Sequence, residues 1–177
     1  MKMEMCRKIA RSFAFVAMLV SPTAVFATTG SFEQTVDVDG AAVVHVSNES
    51  GAVEIIGGDV DKVTIRATIR IDKKLSGSDP KRAAEILRAV KRRPPVSIEG
   101  GRIEISKIER RAYQRHASIS YEIVVPHDSE VNVHSVSGDV KVSGVTGSVS
   151  ATSETGKVTL ADSSAPRKTE LDTPAIG

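Results

Sequence analysis

Within residues 131 to 160 a glycine returns at a fixed interval, and each is followed by the same alternation of outward and inward side chains. Gly138, Gly147 and Gly156 are spaced by nine. After them come Asp139-Val140-Lys141-Val142, Ser148-Val149-Ser150-Ala151 and Lys157-Val158-Thr159-Leu160. A two-residue period puts the apolar side chains on one face of a strand and the Asp, Lys, Ser and Thr on the other. Strands this short bury too little alone, so their regular return predicts stacked coils that share one apolar interior.

A copy of the pattern lies upstream. Aligned on Gly51 and Gly138, Val44, Val46, Val53 and Ile55 coincide with Val131, Val133, Val140 and Val142. The residue before the glycine is Ser50, Ser137 or Thr155, a hydroxyl suited to bonding its own corner. Glycine suits the corner because it accepts positive φ without steric cost. From Gly138 to Gly156 one coil is 18 residues, with two short strands and two corners. Gly51, Gly138, Gly147 and Gly156 are therefore expected to be structural corners.

The Ser-Gly-x-Val-x-Ile corner at Gly51, the run Tyr121-Glu122-Ile123-Val124-Val125-Pro126, and Val131 to Val142 together resemble the DUF4097 family, described as adhesins with a β-helix-like repeat. The resemblance spans roughly residues 36 to 177. It implies an exported, non-catalytic, mainly β solenoid.

Residues 1–27 read as a secretory signal, with Lys2, Arg7, Lys8 and Arg11 before the apolar stretch Phe13 to Val20, and Val25-Phe26-Ala27 as the cleavage site. The apolar stretch is far shorter than the ~20 residues a spanning helix needs. Cleavage after Ala27 removes the single cysteine, Cys6, and with it any disulfide, thiolate metal site or cysteine nucleophile. It also leaves 20 Lys and Arg against 21 Asp and Glu, so the basic balance of the whole chain belongs to its leader, and nucleic acid is not expected as a partner. The expectation is one mainly β domain over residues 28–177, periplasmic, secreted or on the cell surface, with one inserted helix and no transmembrane segment. Aromatic residues are only 3% of the chain, so Val, Ile, Ala and Leu must build the interior.

Between the upstream copy and the regular repeats the pattern changes. Residues 32 to 38 form an opening strand with Val36 and Val38 inward, and Val63 to Ile71 alternates strictly, leaving Arg66 and Arg70 outside. Asp79 is a good N-cap and Pro80 a good first helical residue. Ala83, Ile86, Leu87 and Val90 form an apolar stripe, and Pro94-Pro95 ends the helix, which spans about 79–93 and should cover an end of the interior. Gly100-Gly101 closes a hairpin in which Glu99 faces Arg102, Ile98 faces Ile103 and Val96 faces Ile105. Glu109 to His116 breaks the alternation and reads as a loop. Residues 81–115 carry eleven Lys and Arg against four Glu, and the rest of the mature chain is correspondingly acidic.

His45, His116, His127 and His134 lack the spacing of a ligand pair, and the corners lack the double glycine and aspartate of calcium-binding nonapeptides, so no metal or other cofactor is expected. Glu49 and Glu154 precede their glycines by two, but Val136 takes that place between them, against a carboxylate pair for glycan cleavage. No Gly-x-Ser-x-Gly turn occurs. An enzyme is therefore not expected. Two readings remain. One is an adhesin-like or structural envelope module binding an extracytoplasmic protein or polymer. The other is an accessory or sensory envelope domain that takes an anionic polymer on the basic insert, through Arg110, Arg111, Arg115 and His116. After Leu160 the pattern loosens and resumes over Thr169 to Thr173, with Gly177 near the next corner. This predicts either a shortened form of a longer repeat protein or a last coil that pairs edge to edge with a partner or second copy.

Overall fold

The computed structural model describes residues 29–162. The expected leader and cleavage site, and the end of the chain on which a shortened or edge-pairing last coil is expected, lie outside the described residues.

Four strands open the described chain: β1 (Thr29–Asp37), β2 (Val43–Ser50), β3 (Val53–Gly58) and β4 (Lys62–Ile71). Two helices follow, α1 (Lys73–Ser78) and α2 (Pro80–Arg92), then the hairpin β5 (Val96–Glu99) and β6 (Arg102–Ile105). A single helical turn, α3 (Arg111–Gln114), leads into β7 (Ala117–Pro126) and β8 (Glu130–Ser137). Three short strands close the fold: β9 (Val140–Ser143), β10 (Val149–Ser153) and β11 (Val158–Ala161). The protein is mainly β, in two mixed sheets ordered β1-β4-β7-β3-β9-β11 and β10-β8-β2-β6-β5. Among the described residues no helix is long and apolar enough to cross a membrane.

The 18-residue unit is visible in the register. Val149 pairs with Val131 and Val158 with Val140, both in parallel, so each coil contributes one strand to each sheet. The upstream copy is the neighbouring coil: Val44 pairs with Val131, Val53 with Val140 and Ile55 with Val142. These partners are 87 residues apart, one 18-residue step plus a 69-residue insertion. The insertion returns on the far side of β2 and β3, where β6 lies parallel to β2 and β7 parallel to β3. β1, β4 and β5 extend this end as antiparallel strands.

Alternation holds along every long strand. In β4 the odd residues Val63, Ile65, Ala67, Ile69 and Ile71 are buried, and Arg66 and Arg70 are exposed. Val44, Val53, Ile55, Val131, Val140 and Val142 fill the space between the sheets. Each contributes about 1.5–3 kcal/mol by leaving water. The hairpin takes the expected register, with Glu99 opposite Arg102 and Ile98 opposite Ile103. In α2 the Asp79 carboxylate accepts from the Arg82 N–H at 3.0 Å, and Ala83, Ile86, Leu87 and Val90 are buried in the common core.

Four local expectations are corrected. The described residues hold three helices where one inserted helix is expected, because Asp72 caps α1 ahead of α2 and α3 forms after the hairpin. The opening strand starts earlier, at Thr29, and stops at Asp37, with Val38 buried just beyond it. The predicted loop at residues 109–116 contains α3, because the N–H groups of Tyr113 and Gln114 both bond the Arg110 carbonyl and Tyr113 is buried as its anchor. The hydroxyl before the corner glycine bonds back only in Thr155, whose Oγ1 donates to the Val136 carbonyl of the preceding coil at 3.0 Å. At Gly51 and Gly156 the residue three before the glycine also bonds a corner carbonyl. Asn48 Nδ2 donates to the carbonyls of Gly51 (2.8 Å) and Ile119 (3.1 Å), and Ser153 Oγ donates to that of Gly138 (2.9 Å).

Three of the corner glycines form one column. Gly51 (φ +116°) and Gly138 (φ +133°) lie in the region that favours glycine. A Cβ on Gly51 would strike the Ile119 carbonyl, one on Gly138 the Gly51 carbonyl, and one on Gly156 the Gly138 carbonyl. Gly147 belongs to the opposite corner, where it abuts the backbone of Asp128 and Ser129. The nine-residue spacing thus marks alternate corners of one coil.

Candidate functional site

The basic insert encloses a cleft of about 670 Å³ between the end of α2 and the segment from β6 into α3. One wall is the last turns of α2, where Glu85, Arg92 and Arg93 stand beside Ala89 and Val90. Their placement follows from the helix period: Glu85, Ala89, Arg92 and Arg93 recur at spacings of three and four and so share one face, next to the one that Val90 buries in the core. The helix stops because Pro94 and Pro95 cannot continue it, and both prolines join the wall. The Ser106 N–H donates to the Pro95 carbonyl at 2.9 Å, which fastens the hairpin's end to this wall.

The opposite wall is Ser106, Ile108, Glu109, Arg110 and Tyr113. Gln114 Nε2 donates to the Ile108 carbonyl at 2.6 Å and holds this segment against α3. Arg110 is oriented by its neighbour: a guanidinium N–H donates to the Tyr113 hydroxyl at 3.1 Å, and the group lies 5.3 Å from the ring centroid. Such a cation–π contact holds the side chain in place while leaving its charge available. Among the described residues, Arg92, Arg93 and Arg110 have no carboxylate within ion-pair distance, although Glu85 and Glu109 line the same cleft.

Of the four insert residues singled out from the sequence, Arg110 lines the cleft. Arg111 and Arg115 are exposed on α3 and just after it, outside the lining. His116 is half-buried: its N–H donates to the Tyr113 carbonyl at 3.0 Å, and its carbonyl accepts from the Asp72 N–H at 2.8 Å. It ties α3 to the start of α1. Arg92 and Arg93 were legible only as cations at a helix end, and their role as a wall needs the hairpin to fold α2 against α3. The balance of eleven bases to four acids in residues 81–115 is the signal that pointed to this region.

A second polar feature crosses the outer face of the larger sheet. Register places Glu33, Arg66, Glu122, Glu54, Lys141 and Thr159 in one transverse row. Arg66 lies 3.4 Å from both Glu33 and Glu122, and Lys141 Nζ is 2.8 Å from Glu54. Each pair is open to solvent and worth about 0–1 kcal/mol, so the row fixes a charge pattern more than it stabilises the sheet. Beneath it, Tyr121 packs edge-on against Phe32, and burial pushes its phenol well above the ordinary 10.0. Among the described residues no group of three or more His, Cys, Asp or Glu converges as metal ligands would.

No protein-family model matches the sequence. No curated protein matches it. Among solved structures it is similar to a "putative cell adhesion protein" from Clostridium sporogenes, at 13% identity and a TM-score of 0.48, over 75% of this chain and 60% of that one. It is also similar to a "putative adhesin" from Parabacteroides distasonis, at 13% identity and a TM-score of 0.29, over 77% of this chain and 55% of that one. A "putative lipid binding protein" from the same organism matches at 9% identity and a TM-score of 0.31, over 76% and 59%. The chain thus spans 55–60% of the length of these structures.

Proposed function

We propose that the protein is an exported, non-catalytic β-solenoid module, adhesin-like in the manner of the DUF4097 pattern, that binds an extracytoplasmic partner through its flat polar faces. The observation that carries this reading is the row Glu33–Arg66–Glu122–Glu54–Lys141. Its charges are spaced by backbone register across stacked strands, which makes a stiff surface suited to broad contact rather than to enclosing a small molecule. Export rests on the leader-like residues 1–27. The test is co-sedimentation of the purified protein with isolated cell envelopes. Reversing the central pair, as Arg66→Glu with Glu122→Arg, keeps the mutual attraction of the two positions but sets a second acid beside Glu33 and a base beside Glu54, so the pattern of the row is changed. Wild-type protein should pellet and this variant should not; equal pelleting would sink the reading.

The cleft favours a second reading, an accessory or sensory envelope domain that takes an anionic polymer on the basic insert. Its support is the set of three arginines around one concavity that have no carboxylate partner among the described residues. Binding of an anionic polymer should then weaken steeply with salt and in an Arg92→Ala, Arg93→Ala, Arg110→Ala variant, and only slightly with Arg111→Ala or Arg115→Ala. The reverse order would move the site onto α3.

A further inference from the structure

We infer that the cleft between α2 and α3 takes an acidic saccharide, a segment of sugar rings that carry carboxylates; this rests on the second reading above and specifies its ligand. Three observations converge. Arg92, Arg93 and Arg110 present guanidinium groups, whose planar donors match a carboxylate in pairs. Glu85 and Glu109 stand on the same walls as acceptors, with no ion-pair partner among the described residues. A chain of phosphates would meet these two carboxylates as repulsion at every residue it placed there. A sugar acid would not, because its hydroxyls donate to carboxylates while its own carboxylate faces the arginines. Ser106 adds a hydroxyl that can both donate and accept.

The apolar part of the lining fits the same ligand. Ala89, Ile108, Pro94 and Pro95 offer C–H surface between the charged groups, the kind of wall against which the apolar faces of a pyranose ring pack. A volume of about 670 Å³ lies within the range of small-ligand sites and holds a short stretch of such rings. The cleft is open at the surface, so a longer polymer can enter and leave through it.

The test is calorimetric titration of the purified protein with tetragalacturonate, maltotetraose and tripolyphosphate, at about 0.05 M and about 0.5 M salt. Tetragalacturonate should bind, about tenfold or more weaker at the higher salt, and maltotetraose should bind far more weakly at either. Arg92→Ala with Arg93→Ala should cost about tenfold or more, and thermal melts should show these exposed substitutions leave the fold intact. Glu109→Gln should weaken tetragalacturonate binding and not that of tripolyphosphate. Equal affinity for maltotetraose overturns the inference. Binding of tripolyphosphate alone overturns it too, but leaves the anionic reading standing, whereas no binding of either charged probe removes both.

Discussion

Asn48 takes the carbonyl oxygen that the next coil's pattern would give to Ser135. The two residues pair across β2 and β8, both inward and buried. In the following coil Ser153 donates to the carbonyl of the preceding corner glycine, Gly138. The equivalent acceptor for Ser135 is the Gly51 carbonyl, which Asn48 Nδ2 already reaches at 2.8 Å, and Ser135 Oγ is left buried without a partner among the described residues.

That arrangement sets opposite expectations for two small changes. Asn48→Ala removes two buried hydrogen bonds, one within its own coil and one to Ile119 beyond it, and should cost about 2–3 kcal/mol. Ser135→Ala deletes an orphaned hydroxyl and should fall within about 0.5 kcal/mol of wild type or slightly above it. Urea unfolding of both variants checks this; a Ser135→Ala loss as large as that of Asn48→Ala would mean the hydroxyl has a partner.

The glycine column gives a second expectation. Gly138→Ala forces a side chain into positive φ and against the Gly51 carbonyl, and should destabilise by about 3 kcal/mol or more. Gly77→Ala in α1 meets no atom within 4 Å and should be neutral or gain about 0.5 kcal/mol. Thermal melting that ranks the two alike would remove the column as a determinant of the fold.

Inward and outward faces can be tested one residue apart. Val140→Asp buries a carboxylate without a partner and should cost about 3–5 kcal/mol. Lys141→Asp breaks an exposed pair with Glu54 and sets like charges opposite each other, for about 1 kcal/mol. Chemical denaturation distinguishes the two, and similar losses would contradict the burial pattern of β9.

Tyr121 predicts an alkaline limit. Its folded-state pKa lies above the unfolded value of 10.0, so its contribution is fully present below pH 10.0 and is lost as pH rises beyond it. There the unfolded chain gives up a proton that the folded chain keeps, and stability falls by about 1.4 kcal/mol per pH unit for this group. Denaturation midpoints of wild type and Tyr121→Phe followed from about pH 8 to about 11 should diverge above the unfolded value, with the shallower decline in the variant. Parallel curves would mean that the phenol is not buried in the folded state.

Much of the architecture was legible because it rests on periodicity and local stereochemistry. The match of Val44 to Val131 and of Val53 to Val140 is read directly as cross-strand pairs. The turn at Gly100 and Gly101 set the hairpin register, and Asp79 with Pro80 located the start of α2. What stayed hidden depends on contacts between distant segments. The inward polar line through Asn48, Ser135 and Ser153 breaks the apolar pattern and makes sense only once neighbouring corner carbonyls are in place. α1 went unread because Leu75 is its one large apolar residue, and its start is set by the Asp72 carboxylate accepting from the Lys74 N–H. The cleft joins Arg92 and Arg93 to Arg110 across a hairpin, so charge composition could indicate its neighbourhood but not its walls.

The 87-residue register offset between β2 and β8 bears on the order in which the molecule can assemble. In space the coil of β2 and β3 lies in the middle of the stack, flanked by β6 and β7 on one side and by β8 and β9 on the other. In sequence it comes before all four. A chain that emerges N-terminus first therefore cannot zip coil upon coil from its beginning, because the earliest coil waits for both neighbours. Each of its pairings with them requires closing a long loop, an entropic cost met before any contact across it is gained. Folding should be slow for a domain of this size and should reach completion only after Val131 is available, so the central coil would keep an open edge through most of the chain's synthesis.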